Sequence, residues 1–155
     1  PIKSEKTTNH FFYEPFLKPY ANVSTVRNDT YNLLMQSRAA LVTSGTATLE
    51  TALFEVPEIV CYKGSNISYQ IAKRLIKIKF ISLVNLIMNK EVVKELIQQE
   101  LTVQNIQKEL ELLLSNQLRI NDLKNDYSAL KNILSVGGNA SEKAAEIIVQ
   151  FTTSS

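Results

Sequence analysis

The sequence contains no tryptophan, one cysteine, one histidine, two methionines, four glycines and four prolines in 155 residues. Each shortage excludes something. A single thiol, Cys61, leaves no internal disulfide framework and fits a reducing compartment. Inside the apolar run Glu58-Ile59-Val60-Cys61-Tyr62 it reads as a small buried hydrophobe rather than a reactive nucleophile. The lone His10 lies in an irregular stretch, so no histidine cluster for zinc and no Ser-His-Asp triad can be assembled. The few glycines form neither GxxxxGKS/T nor GxGxxG, which argues against P-loop NTPases and dinucleotide enzymes. No apolar stretch approaches the roughly 20 residues that a membrane-spanning helix needs. No signal peptide is visible, and the chain opens at Pro1, so its beginning is expected to have been cut away.

Charge of one sign is also scarce. Seventeen Lys and Arg against 15 Asp and Glu leave a net charge of +2, with a pI near 8.7. That lacks the dense basic footprint of a nucleic-acid-binding domain, and no nucleic-acid partner is expected. At 45% hydrophobic and 21% charged residues, the composition is that of an ordinary globular chain with one core. The acidic stretch Asn121–Asp126 lacks the glycine and terminal glutamate of an EF-hand and falls in a helical pattern, so no metal is expected.

What is present is an alternation of short apolar runs and longer amphipathic ones. Residues 1–21 form an irregular entry segment. Asn22–Val26 is predicted as a short strand, Asp29–Ser37 as a helix, and Ala39–Thr43 as a buried strand. A helix then runs to about Glu55, where Pro57 stops it, and Glu58–Tyr62 is the next strand. Ser65–Lys79 is an amphipathic helix and Phe80–Leu83 a further strand. Such alternation implies βαβ units and a parallel, doubly wound, Rossmann-like α/β sheet. From residue 90 to 152 the β signal disappears and a helical tail of the same domain is expected. Its helices are Glu91–Glu100, Thr102–Leu114, Gln117–Ser135 and Ser141–Phe151, the last two separated by Gly137-Gly138. Four strands are fewer than the five or six usual for a self-sufficient doubly wound domain. A partial domain lacking its first βα unit or units would explain that count and the opening in mid-pattern.

The strand-turn-helix from Ala39 to Glu50 is the most informative segment. Ligands of open α/β sheets bind beyond the carboxyl ends of the strands, where helix N-termini offer free N–H groups and positive partial charge to phosphates. Gly45 lets the backbone approach an anion, and Ser44 and Thr46 add hydroxyl donors. Glu50, one turn beyond Thr46, could accept hydrogen bonds from a vicinal diol such as a ribose. On spacing alone the plainer reading stands beside this one: Ser44 and Thr46 cap the helix, and Glu50 is a solvated acid. The helix Ser65–Lys79 carries an apolar face of Ile67, Ile71, Leu75 and Ile78 with Lys73, Arg74, Lys77 and Lys79 around it. That is either a solvated basic face or a surface for anionic lipid headgroups, at about 1 kcal/mol per basic residue.

Three runs taken together resemble the C-terminal half of the lipid-A-disaccharide synthase family, inverting glycosyltransferases of the GT-B fold. They are SGTATLE (Ser44–Glu50), YKGSNISYQIAKRLIKIKFISLVN (Tyr62–Asn85) and KELIQQE (Lys94–Glu100). The similarity is continuous from about Asn22 to the end. SGT turns occur in many nucleotide-sugar enzymes; AKRL followed by ISL-x-N at this distance from SGTATLE is much more specific. The resemblance implies that residues 1–155 form the nucleotide-sugar-binding half-domain of such an enzyme, cytoplasmic and peripheral on the inner face of the inner membrane of a Gram-negative cell. It implies a UDP-linked diacylglucosamine donor, a monosaccharide lipid phosphate acceptor, and no cofactor. Ser44, Gly45 and Thr46 would meet the diphosphate, Glu50 the ribose, and Asn85, at a strand end, the nucleotide or phosphate. Tyr62, Lys63 and Gln98 would lie near the same cleft, and Lys73, Arg74, Lys77 and Lys79 would face the anionic membrane.

The sequence departs from the family in two ways. Val84 replaces the proline of the usual SLPN run, which would loosen the loop presenting Asn85. The resemblance implies that the N-terminal half, with the glycine-rich loop and acidic residues that handle the acceptor, is expected to be missing from this sequence, together with an early βα portion that carries a basic phosphate-contacting residue. The catalytic base is expected on that missing half, and the chain alone to be inactive. A homo-oligomer formed through the uncovered sheet edge is an open expectation. Two rival readings are another UDP-sugar GT-B enzyme, and a non-enzymatic α/β module that binds a membrane or a partner.

Overall fold

The fold is given by a computed structural model that describes residues 15–43, 45–64 and 79–136. The chain divides into two compact units, Pro1–Leu33 and Leu34–Ser155. In the described part of the first, residues 15–17 are helical and Leu17 accepts a hydrogen bond from the Tyr20 amide at 2.9 Å. Asn22–Val26, expected as a strand, has no regular structure and is exposed throughout. Val23 and Val26 are 45% and 48% exposed, and the backbone joins no ladder among the described residues, so β-propensity alone does not make a strand there. Helix α1 (Thr30–Gln36) follows, with Leu34 as its buried residue.

The second unit rests on three short strands that pair in parallel. β1 (Ala40–Thr43), β2 (Glu58–Tyr62) and β3 (Lys94–Ile97) lie in the order β1-β2-β3. Ala40 stands opposite Glu58 and Thr43 opposite Cys61; Ile59 stands opposite Lys94 and Tyr62 opposite Ile97. The crossover from β1 to β2 is α2 (Thr46–Leu53), whose Thr48, Thr51 and Ala52 are buried. Thr48 and Thr51 satisfy their hydroxyls on the carbonyls of Gly45 and Ala47, each at 2.8 Å, which lets two polar residues sit inside. α2 ends as expected before Pro57, with Glu55 in the left-handed conformation at φ 59°.

Two expectations are overturned between residues 79 and 100. Phe80–Leu83 is not a strand: it leads by bends into α3 (Leu83–Met88), whose N-cap Ser82 accepts a hydrogen bond from the Asn85 amide at 3.2 Å. Glu91–Glu100 is not a helix: it contains β3 and a 3-10 turn at Gln98–Glu100, so the segment 90–152 is not wholly helical. Lys, Glu, Leu and Gln favour a helix there, but burial of Val92, Val93 and Leu96 in the core outweighs those tenths of a kcal/mol per residue. Of the helices expected at the C-terminal end, Ser141–Phe151 lies outside the described residues. The other two form as α4 (Val103–Ser115) and α5 (Gln117–Val136).

One hydrophobic cluster joins these elements: Ala52 of α2, Ile59 and Val60 of β2, Val84 of α3, Val92, Val93 and Leu96 about β3, Leu113 of α4, and Leu123, Tyr127 and Leu130 of α5. The α5 residues recur at i, i+4 and i+7, a seam along one face of the helix. Tyr127 adds a polar tie, donating its hydroxyl to the Val56 carbonyl at 3.2 Å just before β2. Arg119 donates to the Val92 carbonyl at 2.6 Å, and Lys90–Asp126 and Lys131–Glu55 ion pairs flank the helix. α5 thus braces the amino ends of β2 and β3, leaving their carboxyl ends to other duties.

Candidate functional site

Three parallel strands place the ends of β1, β2 and β3 along one edge of the sheet, where an α/β domain receives ligands. After β1 comes Gly45, at φ 139° and ψ −162°. Only glycine occupies that region readily, because a Cβ there strains the backbone. Among the described residues, its chain neighbours aside, nothing lies within 4 Å of where a Cβ would be. Neighbours therefore do not force glycine here; the turn into α2 does. Among the described residues no side chain caps the helix, and the amides of Thr46 and Ala47 have no carbonyl one turn back within it. Thr46 is exposed, and Glu50, four residues on and therefore on the same face, is half-buried. Ser44 lies outside the described residues.

β2 ends at Tyr62, and Lys63 and Gly64 follow; Tyr62 and Lys63 are both exposed. A Cβ on Gly64 would stand 2.8 Å from the Tyr62 hydroxyl, so the Tyr62 ring folds back over this glycine and any larger residue would push it away. Cys61, one residue before, is half-buried; burial raises its thiol pKa and keeps it from acting as a ready thiolate. After β3 comes Gln98, buried and left-handed at φ 53°. Gly45, Thr46, Tyr62, Lys63 and Gln98 thus lie at or just beyond the carboxyl ends of three adjacent strands.

Asn85 is not with them. The expected strand end is a helix, and the Asn85 side chain faces the amino end of β3. Its Oδ1 accepts from the Val92 and Val93 amides at 2.8 and 2.9 Å. Its Nδ2 donates to the Val93 carbonyl at 2.9 Å and to Glu95 Oε1 at 2.8 Å. Two donors and two acceptors are all that an amide side chain has, so none is left for a ligand. The strand-end position expected for Asn85 is corrected: it lies in α3, and here its side chain braces α3 against β3. Val84, in place of proline, is wholly buried in the core. The loop is held from elsewhere: Glu95 accepts from the Ile81 amide at 2.9 Å and the Ser82 amide at 3.0 Å. That carboxylate sits at the N-terminus of α3, where negative charge is favoured.

Of the expected membrane-facing residues, Lys73, Arg74 and Lys77 lie outside the described residues; Lys79 is exposed in a bend. No described helix is long and apolar enough to cross a membrane. Among the described residues no group of three His, Cys, Asp or Glu could hold a metal ion. Sequence reasoning missed Glu95 and also Glu58, the first residue of β2. Glu58 is 1% exposed, and both its carboxyl oxygens lack a hydrogen-bond partner among the described residues. Burial pushes its pKa up to about 9. The only signal was a glutamate opening an otherwise apolar strand, which suggests an edge position as readily as a buried one.

The fold and this edge define a class: a parallel α/β domain whose candidate site is the crevice beyond its strands' carboxyl ends. A family model described as lipid-A-disaccharide synthetase matches residues 4–151. The lipid-A-disaccharide synthase of Colwellia psychrerythraea is 34% identical over 156 residues, taking in 99% of this chain and 38% of that protein. That of Syntrophus aciditrophicus is 41% identical over 123 residues, 79% of this chain and 32% of that protein. That of Psychromonas ingrahamii is 50% identical over 82 residues, 53% of this chain and 22% of that protein. The chain belongs to the lipid-A-disaccharide synthase family and spans less than half the length of these relatives.

Proposed function

We propose that the chain is the C-terminal, donor-binding part of an inverting glycosyltransferase. The enzyme moves a diacylglucosamine from UDP to a monosaccharide lipid phosphate, giving lipid A disaccharide phosphate and UDP. The observation that carries this reading is Gly45, held in a glycine-only conformation with open space before the uncapped N-terminus of α2. The first-turn amides, with the Thr46 hydroxyl and Ser44, receive the diphosphate, and Lys63 adds charge from the neighbouring strand end. Glu50 accepts from the ribose hydroxyls. Tyr62 and Gln98 line the remainder of the edge.

In inverting transfer, positive charge builds on the sugar while negative charge builds on the departing UDP. Helix amides that already point at the leaving group stabilise that charge without reorganising, which lowers the barrier. The base that activates the acceptor hydroxyl belongs, in this proposal, to the portion of the relatives that this chain does not span. The chain by itself therefore binds donor but does not turn over. Lys73, Arg74, Lys77 and Lys79 hold the enzyme against anionic lipid at the inner membrane, where both lipid substrates reside.

Calorimetric titration tests the reading. UDP should bind, ADP should bind more weakly, and Glu50→Ala should weaken UDP by about 10-fold, the equivalent of one or two hydrogen bonds. Equal affinity for ADP and UDP, or an unchanged Glu50→Ala variant, would refute the assignment of the ribose and base to this edge.

A further inference from the structure

Gln98 combines two unfavourable features at one residue of the carboxyl edge. Its backbone is left-handed at φ 53°, a conformation that a residue with a Cβ adopts at a cost. The residue is 5% exposed, yet its Nε2 has no acceptor among the described residues. Buried polar groups are nearly always paired, and an orphaned one calls for an explanation. The surrounding structure holds Gln98 firmly. β3 pairs with β2 up to Tyr62 opposite Ile97, and the Gln98 carbonyl accepts from the Leu101 amide at 3.3 Å. Nothing in the local backbone explains why the side chain is an amide.

We propose that Gln98 Nε2 donates to a neutral acceptor oxygen, a carbonyl or a hydroxyl, of the nucleotide-sugar bound along this edge; the proposal rests on the donor-binding reading above. A phosphate oxygen is disfavoured as the acceptor. A single buried, uncharged amide compensates an anion poorly for its lost water, unlike the several amides of a helix N-terminus. Position points the same way. The end of β3 is two strand spacings from the end of β1, about 10 Å, which is farther than a diphosphate held at α2 extends. The acceptor lies on either the uridine or the sugar, and one substitution tells which.

Gln98→Met keeps an unbranched side chain of similar volume, so the backbone cost is unchanged while the donor is removed. In the ligand-free chain it removes an orphaned donor, and Tm should rise by roughly 2–6 °C. A fall in Tm would mean that the amide is already satisfied, and would overturn the proposal. The variant is then titrated with pyrophosphate, UDP and UDP-N-acetylglucosamine. The proposal expects pyrophosphate affinity to be unchanged and UDP-N-acetylglucosamine to bind roughly 5- to 30-fold more weakly. If UDP weakens equally, the acceptor is on the uridine; if UDP is unaffected, it is on the sugar. An unchanged affinity for UDP-N-acetylglucosamine, or an equal loss for pyrophosphate, overturns the role of Gln98 alone. Failure of the unaltered chain to bind UDP instead overturns the donor-binding reading, and this inference with it.

Discussion

Glu58 should make the stability of this chain fall as pH rises through neutrality, the opposite of what a salt-bridged carboxylate does. Its carboxyl is 1% exposed, neither oxygen has a partner, and burial pushes its pKa from the ordinary 4.5 to about 9. Between those two values the folded chain holds a proton that the unfolded chain has released. Unfolding is then favoured by about 1.4 kcal/mol for each unit of rising pH. The contribution is fully favourable below pH 4.5, is lost progressively above it, and levels off above about pH 9. From pH 5.5 to 7.5 the loss is roughly 2–3 kcal/mol, a large fraction of the 5–15 kcal/mol typical of a domain.

The assay is urea unfolding, followed by circular dichroism, at several pH values across that range. Glu58→Gln keeps the shape and removes the titration, so its stability should be nearly flat with pH where the unaltered chain slopes down. Glu58→Met also removes the unpartnered polar atoms and should be the more stable of the two variants at every pH. Glu55 does not confuse the comparison. Its hydrogen bond and charge pairing with Lys131 lower its pKa, so its effect is lost only as pH falls below 4.5. The neighbouring Tyr127 phenol is pushed well above its usual value, first by burial and then by the Glu58 carboxyl, and stays neutral throughout. Parallel pH profiles for the unaltered chain and Glu58→Gln would show that Glu58 is ionised in the fold, and would refute the reasoning.

Glu95→Gln replaces an acceptor of the Ile81 and Ser82 amides and the Asn85 side chain with a group that must direct an NH2 at one of them. It should cost about 2–3 kcal/mol, read as a lower urea midpoint with an unchanged slope; a change under about 0.5 kcal/mol would show that the network is dispensable. Leu123→Ala, at a site 1% exposed on the α5 seam, should cost about 2–5 kcal/mol. Leu118→Ala on the same helix, 77% exposed, should stay within about 0.5 kcal/mol; equal effects in thermal or urea unfolding would displace the proposed seam.

β1, α2, β2, α4 and α5 were legible because their apolar runs have one period each and clear stops. Pro57 ends α2, and Thr102 caps α4 by accepting from the Asn105 amide at 3.2 Å. β3 was not legible. Lys94-Glu95-Leu96-Ile97-Gln98-Gln99-Glu100 is written mostly in helix formers, and what makes it a strand is a neighbour, β2, far away in sequence. Phe80–Leu83 failed for the converse reason. Its residues favour a strand, but Glu95 captures the amides of Ile81 and Ser82, and Ser82 starts a helix. The misplacement of Asn85 follows directly from that error, since a ligand contact inferred from a strand end fails when the strand does. Gly45, Thr46 and Glu50 were placed correctly on their helix because a glycine between an apolar run and a helical one has few local alternatives.

The distribution of satisfied and unsatisfied groups separates the two edges of the sheet. At the amino edge, Asn85, Glu95, Arg119 and Tyr127 tie α3 and α5 to the ends of β2 and β3 with paired hydrogen bonds. Substitutions there should change stability and leave any ligand affinity alone. At the carboxyl edge, Gly45 carries a glycine-only backbone, α2 starts uncapped, and Gln98 carries both a left-handed backbone and an orphaned amide. Strain and missing partners persist where the surroundings impose them, and they gather where a ligand can supply what the chain lacks. Glu58 is the exception, an unpartnered group near the braced edge. Its raised pKa explains how it is tolerated: it is buried as a neutral acid, so the penalty is one of pH rather than of an uncompensated charge. The same logic makes Gln98 harder to explain away. An amide has no proton to gain or lose near neutral pH, so a change of protonation cannot relieve Gln98 as it relieves Glu58.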